Sequence, residues 1–544
     1  MVGSIREPLR KMMRLLLTLF SLLFSVRSLA LQLVITEDPA KNSWLVEYVF
    51  QQPVKTLEFN PGITSFIDAA WRHQGKVLNG HQLILEKPAT RVAIDITHPY
   101  HHTLNRQFTP FIRFSDNRYA VFVDHYLPTN IFDANNHEID ITTPTRIRLQ
   151  STAERALRFG NTKGRGTLEI TATERRYAYF GVAETALGNN LETVIDTELP
   201  NWIKAIGEKD AKDYEAYFRQ RLIGPAPAPL FFALGFANND AKPFLDGGYI
   251  GGEVLLNISG NGWFEDNRAN QIVIGHTVAH ELAHAWQAQR EGPDDKIWLK
   301  EGAADLFAYQ AMLDLQRMSA SEYRAVLENA HASCLTALSQ SNLSSFRASG
   351  FNKAPYHCGH LLWRAVIDST PKDNAYDIWQ VLFAKPFNND IDALNALDEY
   401  LVKQDATSGL LQLDQQLNDA NASTRIKAYS NHVANLNLPT VNMPESNADR
   451  IAAILKFILA SACPGAWHGY WDKDHYIEPD VDKSCTTLTR DFWISTVNGI
   501  NIFQQPDEVA QEIKHSCQRS GYLTLRRHQG TETRNIFCSK TPTL

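Results

Sequence analysis

Near Asn190 the hydrophobic pattern of this chain changes period, so one kind of secondary-structure layer cannot serve its whole length. From Leu31 to about residue 190, β-branched and aromatic runs at Gln32–Thr36, Trp44–Phe50, His81–Leu85, Arg91–Ile96, Tyr119–Val123, Thr145–Gln150 and Leu168–Ala172 alternate with Pro, Asn, Asp and Gly. That pattern predicts short strands and turns. Beyond it, Leu191–Ile206, Lys209–Leu222, Gln271–Gln289, Glu301–Gln316, Ala320–Leu338 and His360–Asp368 carry apolar residues at helical spacing. A Pro-rich junction at 224–229 and expected strands at Leu230–Phe236 and Gly252–Ile258 lie among them. At 544 residues the chain exceeds what one hydrophobic core supports, and a multidomain α+β fold is expected. Residues 31–190 read as a β-sandwich or saddle-shaped sheet domain. Residues 191–440 read as an α+β catalytic domain with a helical second half, and 441–544 as a small cysteine-containing α/β domain.

The first thirty residues are of another kind. Arg6, Arg10, Lys11 and Arg14 precede an apolar run, Leu15–Val26, followed by the small residues of Ser28-Leu29-Ala30. This is the layout of a signal peptide, residues 1–30, cleaved after Ala30. The run is shorter than the roughly 20 residues a spanning helix needs, so no stable membrane span is expected after cleavage. The expected destination is outside the cytoplasm, periplasmic or secreted. Removing residues 1–30 takes away five basic side chains and one acidic one, and moves the formal charge from −7 to −11. An acidic chain without a Lys/Arg cluster is not expected to bind nucleic acid. Disulfides are the expected use of the six cysteines, Cys334, Cys358, Cys463, Cys485, Cys517 and Cys538. All fifteen connectivities stay open, with nearest-neighbour pairing as the working choice.

The chemistry-bearing segment is Val278-Ala279-His280-Glu281-Leu282-Ala283-His284-Ala285-Trp286, H-E-x-x-H in helix-forming surroundings. Residues four apart stack on one helix face, so both imidazoles can reach one ion. Taken alone, the motif also fits two satisfied core histidines. After sixteen intervening residues His284 is followed by Glu301, at the expected start of another helix, with Asp305 one turn further on. A catalytic zinc takes three protein ligands and keeps one open position, so His280, His284 and Glu301 suit one Zn2+. Glu281 lies beside them as a general base, and Asp305 can accept the outer N–H of a ligating histidine. His276 continues the four-residue spacing, but three histidines span roughly 12 Å of helix while each zinc bond reaches about 2 Å. Only an adjacent pair fits, and His276 is assigned a supporting or structural place.

The segments H-E-L-A-H and Trp298-Leu299-Lys300-Glu301-Gly302-Ala303 together resemble the gluzincin metallopeptidases, in particular the aminopeptidase N and glycyl aminopeptidase families. Glu301-x-x-x-Asp305 is also similar to the E-x-x-x-D of thermolysin-like peptidases. Ala354-Pro355-Tyr356-His357-Cys358-Gly359 resembles the P-Y-E-K-G segment of aminopeptidase N relatives, with Cys358 where the family has lysine. The resemblance implies a thermolysin-like catalytic domain, a single zinc, a peptide or protein substrate and an oxyanion-stabilising role for Tyr356. The family's G-x-M-E-N is absent. In that region stands Gly252-Glu253, whose glutamate is a candidate for binding a substrate's free amine, or else a surface glutamate at a strand end.

The expected function is zinc-dependent hydrolysis of peptide bonds by an exported aminopeptidase. The alternatives are an endopeptidase or other gluzincin hydrolase without amino-terminal selectivity and, from another class, a zinc-containing peptide-binding protein. The C-terminal order, strand-turn-strand over Trp493–Ile502, a helix from Pro506 to about Lys514 and a strand at Gly521–Leu525, is similar to the second half of a PDZ domain, and fits an unspecialised disulfide-stapled module as well. His98, His101 and His102 read as a solvated loop. No sequence feature sets the oligomeric state or side-chain preference.

Overall fold

The computed structural model describes residues 31–538 apart from 74–75, 79, 98–107, 141–144, 173–174, 183–185, 189, 223–229, 238–243, 288–295, 347–352, 371–374, 384–389, 404–408, 440–446, 464–467, 472–475, 481–484, 486, 490 and 529. The expected signal peptide, the His98, His101 and His102 cluster and the Pro-rich junction lie outside the described residues. The chain divides into two compact units. One runs to Ala186 and includes Asp196–Glu198 and Ala233–Asn261; the other comprises Leu187–Ile195, Leu199–Phe232 and Gly262–Leu544. Among the described residues no helix is long and apolar enough to cross a membrane.

The first unit is built on a thirteen-stranded sheet. Leu31–Asp38 pairs antiparallel with Ser43–Glu58 and parallel with Thr145–Ser151. Residues 43–50 alternate half-buried and buried, the period-two signature of a strand with one face on the core. Trp44 is the centre of that core, its ring edge-on to Phe111, Tyr119 and Phe180 at 5.0, 5.4 and 4.8 Å. The strands expected at His81–Leu85 and Arg91–Ile96 are one, Gln82–Ile96. The register against Ser43–Glu58 steps from Val54↔Ala89 to Thr56↔Ile84, so the Pro88 segment is taken up as a bulge instead of a loop. Phe244–Ile250 and Glu253–Ser259 form an antiparallel hairpin. Its two turn residues, Gly251 and Gly252, both have positive φ (57° and 88°), which a two-residue hairpin turn of this hand demands.

In the second unit the expected helix Leu191–Ile206 is corrected. Leu191–Ile195 is a strand, and the helix begins only at Asn201, after Pro200. Its first four residues are all buried, and a short fully buried run reads alike as helix or strand. A π turn at Ile206–Asp210 leads into the helix Ala211–Arg221. Four further helices frame the site: α1 (Arg268–His284), α2 (Ile297–Asp314), α3 (Ala320–Gln340) and α4 (Ala354–Asp368). Asn267 caps α1 by accepting from Asn270 N–H at 2.9 Å. Ser319 and Glu322 form a capping box on α3. The helices α2 and α4 cross at Gly302 and Gly359, where a Cβ on Gly302 would lie 2.2 Å from the Gly359 carbonyl carbon. Only glycine permits so close an approach of two backbones.

The C-terminal residues form a six-stranded sheet with the helices Asn447–Ala462 and Pro506–Arg519. Asn498 and Gly499, both at positive φ, turn Ile494–Val497 back onto Ile500–Asn501. All three disulfides join neighbours in sequence: Cys334–Cys358 between α3 and α4, then Cys463–Cys485 and Cys517–Cys538.

Candidate metal centre

His280 and His284 occupy successive turns of α1, both buried. Their Nε2 atoms are 3.0 Å apart, and each stands 3.3 Å from Glu301 Oε2. Metal bonds of 2.0–2.1 Å at tetrahedral angles separate ligand atoms by about 3.3 Å, so these three atoms have the spacing that a tetrahedral zinc with one open position requires. Among the described residues this triad is one of two clusters able to hold a metal; the other, His276, His280 and Asp305, shares His280 with it. Glu301 was expected at a helix start. It is the fifth residue of α2, so Ile297–Lys300 form the turn that presents it.

The outer ring nitrogens are both engaged. His280 Nδ1–H donates to Asp305 Oδ1 at 2.7 Å, and His284 Nδ1–H donates to Gln287 Oε1. With the protons on Nδ1, both Nε2 lone pairs face the centre. Gln287 was not singled out in the sequence. It is 1% exposed, and its Nε2 donates to the Lys300 carbonyl at 2.9 Å, tying the end of α1 to the residue before Glu301. Its only mark in the sequence is a glutamine three positions after the second histidine. His276 lies with Nε2 3.1 Å from Asp305 Oδ1 and its ring stacked on Tyr309 at 4.1 Å. It therefore supports Asp305 and lies outside the first triad.

Electrostatics follow from these contacts. Burial alone would raise the Glu301 carboxyl, but His284 and His280 hold it well below its ordinary range. At Asp305, too, burial works upward and is overcome, here by His276 and His280. Burial would lower the His280 imidazole; Asp305, Glu301 and Glu281 more than reverse this, and its pKa ends well above the ordinary value.

Glu281 follows His280 on α1 and is half-buried. Tyr356 sits in the first turn of α4, its ring 5.6 Å from that of His280. The Gly302–Gly359 crossing and the Cys334–Cys358 bridge flank it on α4. Glu253 belongs to the first unit, and the surface-glutamate alternative for it is corrected. At the start of its strand it is 1% exposed, and burial pushes its carboxyl up to about 7 against the pull of Arg176 and Arg158.

No protein-family model matches the chain, and no curated protein matches it in sequence. Solved structures do resemble it. An aminopeptidase N family protein from Idiomarina loihiensis is 10% identical at a TM-score of 0.47, over 94% of this chain and 96% of that one. Leukotriene A4 hydrolase from Saccharomyces cerevisiae is 11% identical at 0.41, over 79% and 71%. An M1 zinc metallopeptidase from Deinococcus radiodurans, in a mutant form bound to a Tyr-Ser-Ala substrate, is 16% identical at 0.38, over 77% and 97%. These likenesses are distant in both sequence and superposition, and what the centre can do follows from its own residues.

Proposed function

We propose that this chain is an exported zinc-dependent peptide hydrolase of the gluzincin kind, acting as an aminopeptidase. The observation that carries the reading is the meeting of His280 Nε2, His284 Nε2 and Glu301 Oε2 at 3.0–3.3 Å, with both outer imidazole nitrogens already hydrogen-bonded. A zinc ion held there supplies Lewis acidity to a scissile carbonyl and to a water. Glu281 takes the proton of the attacking water and returns it to the leaving amine. Tyr356 donates its hydroxyl to the carbonyl oxygen as negative charge develops on it, and Asp305 and Gln287 hold the two imidazoles in the tautomer that ligation needs. Amino-terminal selectivity is the finer part of the proposal and rests on the resemblance of residues 280–301 and 354–359 to the aminopeptidase N family. Export rests on the charged and apolar pattern of residues 1–30.

The test is an assay of the purified protein on aminoacyl and internally blocked peptides, with and without chelator, beside Glu281→Gln. Hydrolysis is expected to vanish on chelation and return with zinc, and Glu281→Gln should lower kcat by about 10²–10⁴. Cleavage that ignores both chelator and substitution would sink the proposal. Equal cleavage of blocked peptides selects the endopeptidase alternative, and tight zinc and peptide binding without cleavage selects the binding protein.

A further inference from the structure

The turn that presents Glu301, Ile297–Lys300, opens α2 without the usual stabilisers of a helix start. Lys296, at the N-cap, makes no side-chain capping bond, and the first turn carries no acid. Free N–H groups and the positive end of the helix dipole favour a carboxylate there and oppose a lysine. The carboxylate comes from a residue 118 positions further along the chain. Asp414, on α6 (Leu410–Leu417), is 4% exposed; its Oδ2 accepts from Lys296 Nζ and its Oδ1 from Trp298 Nε1 at 3.2 Å.

Both ends of this contact are held. The Lys296 and Asp414 side chains are largely out of water, where a charge-assisted hydrogen bond is strong. The start of α6 is fixed in turn by Asp398 of α5 (Asp390–Lys403), whose carboxylate accepts from the backbone N–H groups of Gly409, Leu410 and Leu411 at 2.8, 2.8 and 3.1 Å. Trp363 Nε1 of α4 and Gln287 Nε2 close on the same turn, at the carbonyls of Leu299 and Lys300, 3.1 and 2.9 Å away. Those two neutral donors grip the later part of the turn; Asp414 grips its first residues and balances their charge.

We propose that Asp414 is a positioning residue for the third metal ligand. By fixing Lys296 and Trp298 it sets where α2 begins, and so holds Glu301 Oε2 at 3.3 Å from both imidazoles. Without that counter-charge the Lys296 ammonium is drawn toward water and takes the helix start with it. The inference rests on reading His280, His284 and Glu301 as a zinc site, and is independent of what the zinc does.

Zinc affinity of the full chain, measured in competition with a chromogenic chelator, tests it through a double-mutant cycle of Asp414→Asn and Glu301→Ala. Asparagine keeps an acceptor for Trp298 and removes the charge opposite Lys296. In the otherwise native chain Asp414→Asn should weaken zinc about three- to tenfold. In the Glu301→Ala background, where two histidines remain, it should change affinity less than about twofold, because the ligand through which it acts is gone. The visible bands of the Co2+-substituted chain report ligand geometry, and Asp414→Asn should shift them with circular dichroism unchanged. Should that variant misfold, Trp298→Phe, which removes one N–H and keeps an aromatic ring, is expected to weaken zinc about two- to fivefold in the native background and not in Glu301→Ala. Equal weakening in both backgrounds, unchanged affinity or unchanged cobalt bands would overturn the proposal and leave Asp414 a stabiliser of the fold. Failure of the unaltered chain to bind zinc would instead sink the metal reading itself, and this inference with it.

Discussion

Glu253 in the strand-built unit and Asp305 in the helical one are both removed from solvent, at 1% and 5% exposure, yet burial prevails at the first and is overcome at the second. Each has two cationic or cation-forming neighbours: Arg176 and Arg158 for Glu253, His276 and His280 for Asp305. The difference is contact. Asp305 Oδ1 receives His280 Nδ1–H at 2.7 Å and stands 3.1 Å from His276 Nε2, whereas at Glu253 the backbone of Tyr177 and Gly160 adds the least to the pull of the two arginines. Short charge-assisted hydrogen bonds repay the loss of water, and charges acting at longer range repay only part of it. The helical unit thus keeps its carboxylate ionised, as the role proposed for Asp305 requires, while the strand-built unit holds one pushed up toward neutrality.

The pH dependence of Glu253 offers the largest way to break this contrast. Its folded pKa of about 7 lies above the ordinary 4.5, so between those values the folded chain holds a proton that the unfolded chain has released. The stability contributed by Glu253 is therefore full below pH 4.5, falls as pH rises toward 7 and is gone above it, a change on the order of 3 kcal/mol. Urea unfolding of the native chain and Glu253→Gln across that window should show the native chain losing this much relative to the variant; parallel curves would end the argument.

Next in size, Asp305→Asn should weaken zinc binding about 10- to 100-fold in competition with a chromogenic chelator, because His280 loses the acceptor that fixes its tautomer. Unchanged affinity would mean that the Asp305 contact is structural only.

Two glycines on the metal-bearing helices sharpen the comparison further. Gly302→Ala drives its Cβ to 2.2 and 2.4 Å from the backbone of Gly359, neither atom able to yield, and should cost about 2 kcal/mol in thermal unfolding together with much of the hydrolytic rate. Gly275→Ala meets only Tyr214 Oη at 3.4 Å and Met312 Cε at 3.5 Å, and should raise stability by about 0.5–1 kcal/mol. A loss at Gly275 as large as at Gly302 would show that α1 is packed there as tightly as α2 is against α4.

The sequence made the ligand triad legible because its parts are local: two histidines one turn apart, a glutamate and an aspartate one turn apart. What it hid depends on the meeting of distant segments. Gln287 gains its role by reaching Lys300, and Gly302 becomes indispensable only when Gly359 lies against it. The Leu191–Ile195 strand was read as helix because a strand buried on both faces, polar Glu192 and Thr193 included, shows no period-two alternation, and the segment around Pro88 was read as a break because the bulge absorbing it exists only in the paired sheet. The surface alternative for Glu253 could not be set aside from sequence, because Arg158 and Arg176 precede it by 95 and 77 residues in a chain whose sheet pairing cannot be read from composition.

The bridge Cys334–Cys358 closes a 24-residue span and ends two residues from Tyr356. Its consequence belongs to biosynthesis. A bridge over such a span is worth roughly 3 kcal/mol against the unfolded chain, and it forms only where thiols are oxidised. Chain made in a reducing compartment would thus carry His280, His284 and Glu301 yet lack the covalent tie between α3 and the helix that bears Tyr356. Recombinant chain prepared by reducing and by oxidising routes is therefore expected to differ in stability by about that amount.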